Sequence, residues 1–124
     1  MFTVNEDLSI YLTRGDVASL KISADNGGEP YQFQIGDVLR LQVMEKKAAD
    51  NVVMRKEVVV KEPTQEVVIQ LTGADTSFGD VISKPTDYWY EIELNPYTMP
   101  QTIVGYDENG AKLFRLYPEG AEEE

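Results

Sequence analysis

Apolar and polar residues alternate along most of this chain. Leu20, Ile22 and Ala24 alternate with Ser19, Lys21 and Ser23, and Leu39, Leu41 and Val43 with Arg40 and Gln42. Tyr31, Phe33 and Ile35 alternate with Gln32 and Gln34; Val67, Ile69 and Leu71 with Val68 and Gln70. Tyr88, Tyr90, Ile92 and Leu94 alternate with Trp89, Glu91 and Glu93. A period of two places one set of side chains on a buried face, so each run predicts a strand. β-branched and aromatic residues crowd these runs, as strands favour. A further strand is expected at Ser9–Thr13. Another is expected from Val52 to Val60, bulged near Arg55-Lys56-Glu57 where the apolar phase shifts.

Turn chemistry separates the runs. Asp25-Asn26-Gly27-Gly28-Glu29-Pro30, Gly36-Asp37, Ala48-Ala49-Asp50-Asn51 and Glu62-Pro63-Thr64 each stand between two of them. Ile103 to Tyr106 and Lys112 to Leu116 flank Asn109-Gly110, a strong hairpin signal because both residues accept positive φ. The stretch from Thr72 to Thr86 is the longest without alternation. It predicts a short helical turn with Thr72 as its N-cap, and no helix beyond two turns is expected. Pro96 and Pro100 mark an extended connection or an edge.

Seven to eight short strands with turns every roughly 8–12 residues predict an all-β fold. The expected architecture is an immunoglobulin-like antiparallel β-sandwich, with a small β-barrel as the alternative. Residues 1–118 read as a single domain and residues 119–124 as an acidic disordered tail. No internal repeat or low-complexity tract interrupts the pattern.

Composition then removes whole classes of chemistry. The 124 residues include no His and no Cys. Disulfides, thiolate metal sites, Cys nucleophiles and His-dependent machinery are therefore excluded. The net charge is −11, and removing Glu119, Glu122, Glu123 and Glu124 leaves −7. Such acidity opposes nucleic-acid binding, which needs clustered Lys and Arg. No run approaches the length of a transmembrane helix, and the first residues lack the basic and apolar segments of a secretory signal. No nucleic-acid or membrane partner is expected, and synthesis in a cytoplasm is.

The remaining candidates are few. Arg14-Gly15-Asp16 matches an adhesion tripeptide, but it stands between two strands, where a turn needs Gly. Gly-Asp recurs at 15–16, 36–37 and 79–80, and Asp75, Asp80 and Asp87 surround one loop. Their order matches no calcium-binding loop, so neither a metal nor a cofactor is expected. Glu91 and Glu93 share a strand face, roughly 7 Å apart by strand geometry. They offer a remote route to glycoside hydrolysis, but a solvated strand face explains them as well, and no enzyme is expected. Trp89 lies out of phase with the apolar face. Trp89, Tyr97, Glu91 and Phe78 are the candidates for a protein contact, because exposed aromatics concentrate at interfaces. The alternative use of such aromatics is a carbohydrate- or cell-surface-binding module.

The order of several pieces resembles a known family. Ile10-Tyr11-Leu12-Thr13-Arg14-Gly15-Asp16-Val17-Ala18 begins it, with a strand, Arg-Gly-Asp and a second strand. Asn26-Gly27-Gly28, Tyr31-Gln32-Phe33 and Ile35-Gly36-Asp37-Val38-Leu39 follow. Leu71-Thr72-Gly73-Ala74-Asp75-Thr76, Tyr88-Trp89-Tyr90-Glu91-Ile92 and Thr102-Ile103-Val104-Gly105 complete it. This series resembles the N-terminal domains of baseplate upper proteins from phages and prophages of Gram-positive bacteria. The resemblance spans residues 8 to 118 and implies a non-catalytic structural protein of a tail, baseplate or fibre. It implies other tail or baseplate proteins as partners, a possible homo-oligomer, and a place in the virion after assembly in the host cytoplasm. Baseplate upper proteins continue into a stalk or receptor-binding region, whereas this sequence ends at Glu124. The implied role is accordingly an attachment or adaptor domain.

Overall fold

A computed structural model describes residues 2–5, 8–26, 28–46, 50–79, 82–105 and 112–118. Its strands are β1 (Phe2–Val4), β2 (Ile10–Thr13), β3 (Ala18–Ile22), β4 (Asp25–Asn26) and β5 (Glu29–Pro30). They continue with β6 (Val38–Lys46), β7 (Asp50–Val59), β8 (Val67–Leu71), β9 (Thr86–Leu94), β10 (Gln101–Val104) and β11 (Lys112–Tyr117). No helix occurs among the described residues. Seven strands make one mixed sheet in the order β1-β2-β11-β9-β6-β7, with β10 also on β9. β3 and β8 form a second sheet, and β4 and β5 a small hairpin.

The fold is an all-β sandwich and not a closed barrel, since the large sheet ends in separate edges at β1 and β7. β11, β9, β6 and β7 lie side by side while β3 and β8 face them. That is the immunoglobulin order, with the second sheet reduced to two strands. β2 runs parallel to β11, pairing Ile10 with Phe114 and Leu12 with Leu116. The other strand pairs are antiparallel.

Period-two alternation builds the core directly. β3 and β8 bury every second residue, as does β9 from Tyr88 to Leu94. Leu12, Leu39, Leu41, Val43, Phe33, Ile69, Phe114 and Leu116 are fully enclosed between the sheets. Each such side chain contributes roughly 1.5–3 kcal/mol by leaving water.

Besides the short strands β1, β4 and β5, which the sequence pattern does not predict, the structure departs from the expected pattern in three places. The run Tyr31 to Ile35 is not a strand. Only Phe33 is buried, through a single bridge to Thr64, and Ile35 is exposed. Pro30 precedes this stretch, and Gly36 at φ 92° turns the chain directly after it. The bulge in β7 falls at Val53, because Val43 pairs with Met54 while Met44 pairs with Val52. It sits above the Arg55-Lys56-Glu57 segment and lets β7 bend at the sheet edge. Finally, β10 and β11 do not pair with each other. Both lie along the same side of β9, β10 on Ile92–Leu94 and β11 on Thr86–Tyr90. The Asn109-Gly110 turn lies outside the described residues, as do the Ala48-Ala49 turn and the 119–124 tail.

Thr72 does cap a turn. Its amide donates to Asp75 Oδ2 at 2.8 Å, and the Asp75 amide donates to Thr72 Oγ1 at 3.1 Å. The Thr76 amide reaches the Thr72 carbonyl at 3.1 Å, closing one helical turn.

Candidate functional site

The polar phase of the strands forms the outer face of the large sheet, and strand register arranges it in rows. Glu57, Arg40, Glu93 and Thr102 make one row across β7, β6, β9 and β10. Arg55, Gln42 and Glu91 make the next. Met44, Trp89 and Leu113 make the third, across β6, β9 and β11. Asp87, Arg115, Tyr11 and Thr3 make the fourth, ending at β1.

The first, second and fourth rows are held by direct contacts between side chains. Arg40 Nη2 donates to Glu93 Oε1 at 2.7 Å. Its guanidinium also lies 5.6 Å from the centre of the Tyr97 ring. The Tyr97 hydroxyl donates to the Glu57 carboxylate. Burial of Arg40 works against its charge, yet its bonds to Glu93 and Tyr97 raise its pKa above the ordinary guanidinium value. In the second row, Arg55 Nε donates to Gln42 Oε1 at 2.8 Å and Gln42 Nε2 donates to Glu91 Oε1 at 3.2 Å. In the fourth, Arg115 Nε donates to Asp87 Oδ1 at 2.7 Å while its guanidinium stacks 5.3 Å from the Tyr11 ring centre. Tyr117 meets Tyr11 edge-on at 6.0 Å. The bond to Asp87 is the largest cause of the raised pKa of Arg115.

The four contact candidates fall in different places. Trp89 is half-buried on the outer face, between buried Met44 and half-buried Leu113. Glu91 shares that face and is engaged by Gln42. Tyr97 follows β9 and is 66% exposed, the most open aromatic ring among the described residues. Phe78 is not on the surface. It is a core residue, packed edge-on against Tyr88 at 5.0 Å and tilted against Phe114 at 6.0 Å. It follows the helical turn, and no alternation marked it as buried. The arginines at 40, 55 and 115 were the missed members of this face. Their signal was their phase, opposite to the enclosed leucines.

The Arg14-Gly15-Asp16 triplet is used internally. Arg14 Nη2 donates to the carbonyls of Ser77 at 2.8 Å and Gly79 at 3.1 Å. The Thr76 hydroxyl donates to the Asp16 carbonyl at 2.7 Å. The triplet and the segment 72–79, far apart in sequence, thus lock together.

Carboxylates elsewhere are similarly engaged. Lys56 Nζ meets Asp75 Oδ2 at 2.9 Å, and the Thr72 amide and this lysine lower the Asp75 pKa. Asp37 accepts from the Gln34 amide at 2.9 Å, the Tyr31 hydroxyl at 3.1 Å and Asn95 Nδ2 at 3.2 Å. Burial raises the Asp37 pKa, but these bonds outweigh it and lower the pKa below the aspartate value. Asp80, the third carboxylate of the loop, lies outside the described residues. Among the described residues no three acidic groups converge as cation ligands do.

Comparison with protein-family models, with curated proteins and with solved structures finds no match.

Proposed function

We propose that this protein is a non-catalytic structural component of a phage or prophage tail, baseplate or fibre, working as an attachment or adaptor domain. The observation that carries the reading is the make-up of the outer sheet face. It gathers the single Trp, three of the four Arg, and Tyr11 and Tyr117, with Tyr97 at its border. Trp, Tyr and Arg are the residues that dominate protein–protein contacts. The face is preorganised by its own hydrogen bonds and carries both charge signs, which suits docking against another folded surface. The motif order that resembles baseplate upper proteins supplies the kind of assembly, and with it a place in the virion. Symmetric repetition around a tail axis is the natural mode of such a domain. The test is immunogold labelling of purified particles from the phage or lysogen that encodes the chain. Gold at the tail is expected; unlabelled particles beside a labelled soluble fraction count against the reading.

A carbohydrate-binding role draws on one observation, the exposed ring of Tyr97. Arg40 lies against that ring, and Glu57 holds its hydroxyl. A glycan array with intact protein and with Tyr97→Ala separates the readings. Sugar binding lost in the variant favours the module; no binding by either favours the tail component.

A further inference from the structure

The second sheet has two strands where an immunoglobulin sandwich has three or four. The chain's first strand does not pair with β3. β1 instead folds back on β2 in the large sheet. Among the described residues β3 therefore pairs only with β8, and β10 only with β9. Between these two open edges runs a groove of about 700 Å³. Its floor is the margin of the core: buried Leu20 and Ile22 of β3 and Ile92 and Leu94 of β9, with half-buried Ile103 and Val104 of β10. Val4, Leu8 and Met99 stand at the rim, 48%, 41% and 76% exposed. The Tyr90 hydroxyl donates to the Leu8 carbonyl, which fixes the chain turn at one end of the groove.

We infer that this groove takes an extended strand of another protein, added to the open edge of β3. The chemistry of the edges selects the occupant. An open strand edge presents N–H and C=O groups that only another backbone pairs in register. A lipid or a small apolar ligand would fill the floor and leave those groups unmatched. β3 is five residues long, so a strand of that length, about 17 Å, matches it. Charge narrows the choice further. In a protein of net charge −11, the charged groups lining the groove among the described residues are Lys21 and Asp25, one of each sign. The occupant is therefore an uncharged strand with apolar residues at alternate positions. A second copy of this chain would bring its own −11 against the first. The partner's identity as a neighbouring tail protein rests on the adaptor reading above; the groove and its preference for a strand do not.

The absence of Cys permits a direct test. Ser23 is exposed and lines the groove beside β3. Ser23→Cys then carries a single thiol, to which an eight-residue peptide of alternating valine and threonine, ended by cysteine, is joined as a disulfide. Tethering raises the local peptide concentration to about millimolar. The control is the same peptide with every second amide N-methylated, which keeps the side chains and removes strand donors. The expected result is amide exchange in β3 slowed about tenfold by the first peptide and not by the second. Equal exchange with both, or no change with either, overturns the inference. So does disulfide-linked protein dimer that gains the same protection without peptide, which would make a second copy the occupant. None of these outcomes touches the immunogold result, so failure of this site and failure of the tail reading remain distinct.

Discussion

Gly73 backs onto the carbonyl oxygen of Gly15 so closely that a Cβ on Gly73 would stand 2.8 Å from that oxygen. The obstacle is backbone on both sides, so neither group turns aside. Gly73→Ala is expected to destabilise the fold by about 1–3 kcal/mol through this overlap. Thr76→Val, which removes the hydroxyl bonded to the Asp16 carbonyl, is expected to cost about 1–2 kcal/mol. Urea denaturation of the two variants checks both, and unchanged midpoints would mean that the loops do not lock.

The same junction explains Arg14. Its Nη2 donates to two carbonyls, from one bond farther along the side chain than the ammonium of a lysine reaches. Arg14→Lys should lower the thermal midpoint by several degrees, taking about 1 kcal/mol as the loss in a domain of this size. Adhesion of integrin-bearing cells should be absent with the wild type and the variant alike. Arg14-dependent adhesion would show that the triplet has an external role.

Two aspartates predict the acid limb of stability. Asp37 and Asp75 both have pKa values lowered in the folded protein. Each stabilises the fold fully above the unfolded aspartate value of about 3.9, and this stabilisation is lost as pH falls through the lower folded value. Asp37→Asn should therefore reduce stability at pH 7 and flatten its loss between about pH 5 and pH 2. Denaturation midpoints across that range measure it. Parallel acid limbs for variant and wild type would contradict the assignment.

Arg40 and Glu93 form the best-placed ion pair of the outer face, each less than a fifth exposed at its side chain. A double-mutant cycle with Arg40→Met and Glu93→Gln should give a coupling of about 0.5–1 kcal/mol, smaller at high salt. If this face docks against a partner, both single variants should also weaken assembly more than they weaken folding.

In the longest alternating strands, the buried phase was legible from period two. Leu39, Leu41 and Val43, and Tyr88 through Leu94, bury in the phase their spacing predicts. What the spacing does not carry is pairing. β10 and β11 look like the arms of a hairpin around Asn109-Gly110, yet β9 takes both, because a local turn preference competes with a long neighbouring strand. Tyr31 to Ile35 shows the opposite failure. Alternation was present, but Pro30 and the left-handed turn at Gly36 leave too little extended chain to pair. At the candidate site, Trp89 and Glu91 were readable because they sit out of phase in a strong strand. Phe78 was misplaced because it lies in a loop, where no periodicity separates buried from exposed. The groove beside β3 was not legible at all. It arises because β1 joins the large sheet, a choice made by tertiary pairing rather than by any local signal.

We propose that this chain is built into a tail. Quantitative mass spectrometry of gradient-purified particles from the phage or induced lysogen that encodes it tests this most directly. The chain is expected in the particle fraction at a fixed copy number relative to the major tail protein, retained after high-salt washing. Its recovery only among soluble proteins, with none in intact particles, would contradict the account.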